Sequence, residues 1–317
     1  MLTAIEVISP LVFIIALGFV VFKREALKSD ALETLNKFVF LIAAPALLFR
    51  NTAITDFPEI LPWGLWGSYF GSMVLTVLLA MILSSLFFKN RSAPEKIIIG
   101  FGSGFSNTVM LGIPVILISL GNEASIPLFL ILALHGVIAF SLVTAFMEIT
   151  TKKEREFKNT MLAVFRSLSG LPVILALIAG LTWNAFNLIL PIPFDKFLEI
   201  LGNAAIPLAL FGIGGSLTQI KLKGALTEAS LITALKLFIH PFMAFTMAVY
   251  LFKLPPLWIA TVTLLAAMPS GIFVSVFAER YKYAEDVASS SIMISTLVSA
   301  VSISAWLTFF INNYLSE

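Results

Sequence analysis

A handful of side chains in this sequence pair a polar or titratable group with a place inside an apolar run. Asn107 and Thr108 precede Pro114 in one run, and Ser270 follows Pro269 in another. Lys236 and His240 share a third, while His135 and Asn203 stand in two more. An amide or hydroxyl at such depth either contacts a carboxylate of a solute or satisfies backbone groups freed by a nearby proline, and both readings hold for Asn107 and Thr108. Lys236, about a third of the way into its run, either attracts an anion or snorkels its ammonium to the interface. His240 and His135 are the only histidines. Each suits a coupling proton, although a satisfied hydrogen bond between helices is the commoner role; His240, beside Pro241, is the better placed. Asn203, four residues before Pro207, either faces a cavity or packs between helices. Ser291, Ser295, Ser299 and Ser302 form a stripe whose small side chains permit close helix packing more often than they bind a solute.

What is missing narrows the chemistry. Glu6, Glu148, Glu199 and Glu228 all fall near the ends of apolar runs, so no carboxylate sits at mid-depth. That disfavours a paired-carboxylate proton site and leaves His, Lys or a Na+ ion held by backbone carbonyls as coupling options. The absence of cysteine excludes disulfides, thiolate metal sites and thiol catalysis. No metal site and no cofactor beyond a coupling H+ or Na+ is expected. An intramembrane enzyme would need clustered carboxylates, an HExxH pair, or a Ser/Lys or Ser/His dyad. None is evident along the chain, Ser106 with His135 being the one pairing left open, so a non-enzyme is expected. Gly100-Phe101-Gly102-Ser103-Gly104 is no dinucleotide loop, because no strand precedes it.

The elements that must position these residues follow from composition. Of 317 residues 59% are hydrophobic and 12% charged, at a mean hydropathy of +1.01, against about 25% charged residues in soluble domains. A soluble protein is excluded. Charged and Pro/Asn-rich interruptions divide the chain into ten apolar segments: 5–22, 33–53, 63–88, 97–120, 125–148, 168–188, 195–217, 225–252, 256–277 and 286–312. Each suits a bilayer helix, and none has the two-residue alternation of a membrane barrel strand. The first is no signal peptide, since Lys23–Arg24 follow its apolar run and no basic residue precedes it. Alternate connections, beginning with the first, carry 15 of the 20 basic residues, whereas the others hold only Arg50, Lys196 and Lys253. The positive-inside rule then puts both termini outside a cell (inner) membrane. The connection 150–167 mixes charges and precedes a short surface helix, Met161–Ser167; it reads as a solvated link between halves at 1–149 and 168–317. Nothing suggests a nucleic-acid partner.

Shifting the chain by 162 residues places Pro10 on Pro172, Gly18 on Gly180 and the run Ala43–Phe49 on Ala205–Phe211; a shift of 155 places Pro114 on Pro269. Five segments per half is an odd number, so the second half enters the membrane inverted, the repeat architecture of secondary transporters. Pro114 and Pro269, beside glycines, make the fourth and ninth segments candidate discontinuous helices. Their second half-helices would point N-termini at the midplane, where partial positive charge attracts an anion. The expected fold class is an all-α polytopic membrane protein: ten transmembrane helices as a 5+5 inverted repeat with two crossing broken helices.

Asn107-Thr108-Val109-Met110-Leu111-Gly112-Ile113-Pro114 resembles the Asn-Thr-Leu-Val-Met-Gly-Ile-Pro stretch of the auxin efflux carrier family. Ala266–Ile272 is similar to that family's Ala-Ala-Leu-Pro-Gln-Gly-Ile, and Val276–Tyr281 to the Val-Phe-Ala-Lys-Glu-Tyr that follows it. Ala234-Leu235-Lys236 with Pro241 corresponds to its Ala-Val-Arg and later proline. The resemblance implies a scaffold of segments 1, 2, 6 and 7 and a mobile transport unit of segments 3–5 and 8–10. It further implies an elevator-type exporter of organic anions, dimeric through segments 2 and 7, with Asn107 touching substrate and Pro114 and Pro269 at the crossover. Departures accompany it: the third segment lacks the family's Asp and Lys pair, Ser270 replaces a Gln, His240 replaces a Gly, and the large central hydrophilic loop is missing. Auxin itself is therefore not implied. The expected function is a secondary transporter of a small organic anion, with an intramembrane enzyme, a channel or a receptor-like module as the alternatives.

Overall fold

The computed structural model describes residues 4–57, 61–151, 170–219 and 225–315. Most of the connection 150–167 with its surface helix Met161–Ser167, and Lys221 and Lys223, lie outside the described residues. Among these, every regular element is a helix. Six helices are long and apolar enough to cross a bilayer: Ser29–Ile54, Trp63–Phe87, Asn122–Thr151, Ile192–Gln219, Leu226–Leu251 and Glu285–Asn313. Four shorter apolar ones are Ile8–Lys23, Thr108–Leu120, Pro172–Ala185 and Pro256–Ala266. Each lies on one of the segments predicted from the sequence. The fourth and ninth are short because their apolar runs are interrupted.

In chain order the helices are α1 (Ala4–Lys23), α2 (Ser29–Phe38), α3 (Ala44–Ile54), α4 (Trp63–Phe87), α5 (Ala93–Gly104), α6 (Ile113–Leu120) and α7 (Ser125–Thr151). Then come α8 (Pro172–Ala185), α9 (Ile192–Gln219), α10 (Leu226–Ala234), α11 (His240–Thr246), α12 (Pro256–Ala266), α13 (Phe273–Tyr281) and α14 (Glu285–Asn313). Single π turns at Val39–Ala43 and Leu235–Ile239 join α2 to α3 and α10 to α11; another, Thr108–Gly112, leads into α6. Pro45, Pro114 and Pro241 each fall in the first turn of the helix that follows a π turn. There the missing N–H and fixed φ cost least.

The described residues form two compact units. One comprises those within Met1–Leu61, Val109–Gly136 and Leu168–Gln219. In it α1 lies so close to α9 that a Cβ on Gly18 would strike the Phe211 carbonyl and one on Gly214 the Ile15 carbonyl. This is backbone-to-backbone packing, which stands in for the hydrophobic effect inside a bilayer. Asn184 of α8 donates to the Ala53 and Thr55 carbonyls at 3.1 and 2.9 Å, satisfying the end of α3. Arg50 forks onto Asp195 at 2.7 and 3.1 Å. Gly214→Val is expected to destabilise this unit by about 1–3 kcal/mol through overpacking, read as a lower unfolding temperature of the detergent-solubilised protein; an unchanged melt would refute the close approach.

The second unit comprises the described residues within Pro62–Thr108, Val137–Ser167 and Ile220–Glu317. Arg91, in the turn before α5, binds Glu95 and Glu228 at 2.8 Å each and Asp286 at 3.7 Å, tying together the starts of α5, α10 and α14. The Glu95 hydrogen bond, opposed by burial and aided by Glu228, holds the guanidinium well above its ordinary pKa range. Glu95 also completes a capping box with Ser92. The serine stripe of α14 is buried and bonds internally. Ser302 donates to the Leu237 carbonyl of a π turn at 2.9 Å, and Ser295 accepts from the Ser270 N–H at 3.1 Å. In this structure the stripe packs against neighbouring elements.

Candidate functional site

The fourth and ninth apolar segments break where their chains must find other partners for backbone groups. Helix α5 ends at Gly104 and α12 at Ala266, and the extended residues beyond them pair as a short antiparallel bridge, Ser106 to Ser270. Asn107 N–H donates to the Pro269 carbonyl at 2.9 Å, and Gly271 N–H to the Phe105 carbonyl at 3.1 Å. Backbone groups freed by both breaks thus satisfy each other, as non-helical backbone at membrane depth requires. The first break lies at Phe105–Asn107 rather than at Pro114, because Pro114 fits without strain in the first turn of α6. Phenylalanines clasp the pairing: Phe105 stacks on Phe101 at 4.9 Å between centroids, and Phe140 lies 4.9 Å from Phe273 and 5.4 Å from both Phe105 and Phe277. Gly271 faces the Phe105 ring so closely that a Cβ would collide with it.

Lys236 enters this arrangement from the π turn between α10 and α11 and is fully buried. Its Nζ lies 2.7 Å from Ser106 Oγ, 2.6 Å from the Ala266 carbonyl and 2.9 Å from His240 Nδ1. Three contacts match the three donors of an ammonium. The carbonyl is the last of α12, where a helix dipole presents its negative end. No acid is among its partners in the described residues. Tyr69 of α4, also buried, is hydrogen-bonded to Ser106. Ser270 donates to the Gly102 carbonyl near the end of α5 at 2.7 Å and is fully buried. It closes a helix end, the second role open to a hydroxyl beside a proline.

Asn107 differs from its neighbours. It is half-buried, its backbone is committed to Pro269, and its carboxamide makes no hydrogen bond to a described residue. Thr108 is buried, with its N–H on the Ser106 carbonyl at 2.8 Å. Among the predicted residues, Asn107, Thr108, Lys236, His240, Pro269 and Ser270 therefore all belong to the second unit. Pro114, His135 and Asn203 belong to the first. There Pro114 lies in an apolar cleft with Val39, Leu47 and Ala209, and His135 is buried. Asn203 lines a cavity of about 490 Å³ with Arg50, Asn51, Asn122, Ser125 and Glu199.

Ser106 and Tyr69 were not singled out by the sequence as partners of Lys236; Ser106 lies 130 positions away and looks like any small residue in a membrane helix. The Ser106–Lys236 contact has the form of a nucleophile beside an amine base. Ser106 is only 1% exposed, and its hydroxyl is engaged by Lys236 and Tyr69. An acyl group has no approach to that oxygen in this conformation. Among the described residues no group of three or more His, Cys, Asp and Glu side chains is placed to hold a metal.

A family model described as "Membrane transport protein" matches residues 3–307. A protein of Rhizobium meliloti named "Putative malonate transporter" is 26% identical over 298 residues, 94% of this chain and 93% of that protein. "Auxin efflux carrier component 8" of Arabidopsis thaliana is 21% identical over 339 residues, covering 92% of each chain. The "Lysosomal cholesterol signaling protein" of Mus musculus is 25% identical over 323 residues, 94% of this chain but 36% of its own length.

Proposed function

Because the chain belongs to the membrane transport protein family, that of the auxin efflux carriers, we propose that it is a secondary carrier for a small organic anion, acting by an elevator motion. The observation that carries this reading is Lys236, a buried amine bonded only to uncharged groups at the paired breaks, beside the uncommitted carboxamide of Asn107. A buried cation without a counter-charge is costly in a membrane and is characteristic of ion and substrate pathways. A carboxylate arriving at the breaks supplies that counter-charge, and the Asn107 amide gives it a directional hydrogen bond.

In this reading ten helices form a 5+5 inverted repeat in the cell membrane with both termini outside. Segments 1, 2, 6 and 7 are the scaffold, and two copies join through segments 2 and 7. An interior-negative potential favours anion exit, which agrees with export. The name of the Rhizobium relative makes a short dicarboxylate the first substrate to test, with indole-3-acetate as the aromatic comparison. The test is counterflow: proteoliposomes loaded with unlabelled malonate should transiently accumulate labelled malonate. Lack of counterflow with malonate, succinate, benzoate and indole-3-acetate alike would overturn the anion-carrier reading. Steady unidirectional leak without counterflow would indicate a channel instead.

A further inference from the structure

Lys236 and His240 stand four residues apart across a π turn, and their side-chain nitrogens meet at 2.9 Å. We propose that this pair is a single-proton site that couples anion movement to H+, an inference that rests on the carrier reading above. Around Lys236 Nζ and His240 Nδ1 the same heavy-atom positions satisfy two hydrogen-bond patterns. In the charged state the Lys236 ammonium donates to Ser106 Oγ, the Ala266 carbonyl and Nδ1 of a His240 whose proton is on Nε2. In the neutral state the Lys236 amine donates to Ser106 and Ala266 and accepts from Nδ1–H. The two differ by one proton: a proton from water adds to Nε2, the Nδ1–H bond breaks, and a third N–H bond forms on Nζ. A second added proton would set Nδ1–H against the ammonium with no acceptor between them, so the contact limits the pair to one.

Among the described residues the surroundings supply no competing charge. Tyr69 of α4 hydrogen-bonds to Ser106 and its ring lies 6.0 Å from that of His240 between centroids, and α12 has no ionisable residue. In α5 the charged residues are Glu95 and Lys96, both in its first turn. Glu228 of α10 and Asp286 of α14 are held by Arg91, while Glu285 stands with Asp286 at the start of α14. Glu148, near the end of α7, faces Tyr281 of α13 at 3.5 Å, and Glu279 and Arg280 close α13 beside it. The added positive charge is therefore balanced by the carried anion. Proton and anion each favour binding of the other, by the same factor. Lys236, His240 and Tyr69 are fully buried, so the proton is occluded in this conformation. A monoanion then moves without net charge, so the membrane potential no longer acts on it and an acid-outside gradient drives it inward, the reverse of the exit expected of the uncoupled carrier.

The test uses purified full-length protein in proteoliposomes with the membrane potential clamped at zero, labelled malonate as solute and an internal pH dye. The wild type is expected to move about one proton per malonate and to accumulate malonate about tenfold per unit of acid-outside pH gradient. Replacing Na+ by choline should change neither. In His240→Gln the amide oxygen accepts from a permanently charged Lys236, and protons moved per malonate should fall to about zero. Malonate flux in the wild type without proton movement, or with dependence on Na+ instead, overturns the coupling inference alone. Proton movement retained in His240→Gln removes the pair as its site. No anion flux under any gradient overturns the carrier reading and this inference with it.

Discussion

Lys236→Met is expected to reduce malonate counterflow by roughly 30- to 5,000-fold, the equivalent of about 2–5 kcal/mol for removing one partner of a desolvated charge pair. The protein should nevertheless stay folded. Methionine fills a similar apolar volume and removes the cost of burying an amine that has no counter-charge. Against this stands the Ala266 carbonyl, which loses its 2.6 Å donor at a cost of about 1–3 kcal/mol. The two terms nearly offset. Unfolding temperature and size-exclusion profile should stay close to wild type while transport disappears. A folded variant that carries malonate at the wild-type rate would remove Lys236 from the site.

Asn107→Ala tests the other half of the site and should weaken malonate binding by about 10- to 150-fold, the value of a hydrogen bond to a charged group at about 1.5–3 kcal/mol. Stability is expected to be untouched, because the carboxamide has no partner among the described residues and the backbone bond to Pro269 needs no side chain. Titration calorimetry of the purified variant provides both the affinity and the check. Asn107→Asp should be worse than alanine, since it sets a carboxylate against the incoming one. Unchanged affinity in both variants would place the anion elsewhere.

The apolar runs were legible because each is long and broken by charges or prolines, and the structure puts a helix on every one. Local discontinuity was legible too, but its position was not. Pro114 marks the fourth segment, yet the chain opens at Phe105–Asn107, since the Thr108–Gly112 π turn absorbs the mismatch before the proline. Pro269, by contrast, lies inside its break. The joining of Lys236 to Ser106 and Ala266 could not be read from spacing, because contacts across 130 and 30 residues leave no local pattern. Its pairing with His240 did have one, the i to i+4 spacing of a helix face, although each residue was weighed separately. The phenylalanine clasp stayed hidden for a different reason: the chain has 29 phenylalanines, and a ring facing lipid is indistinguishable in sequence from one gripping a backbone.

The contact of α1 with α9 sets an order of events during synthesis. Gly18 and Gly214 leave the ribosome 196 residues apart, which at about 5–20 residues per second is a delay of roughly 10–40 s. Throughout that interval α1 is without the helix it is shaped to fit. Its small-residue face must stay clear of other nascent helices until α9 arrives. Slower elongation between the two codons, or loss of an insertase that shelters early helices, would therefore reduce the yield of folded protein without altering any contact in the finished one.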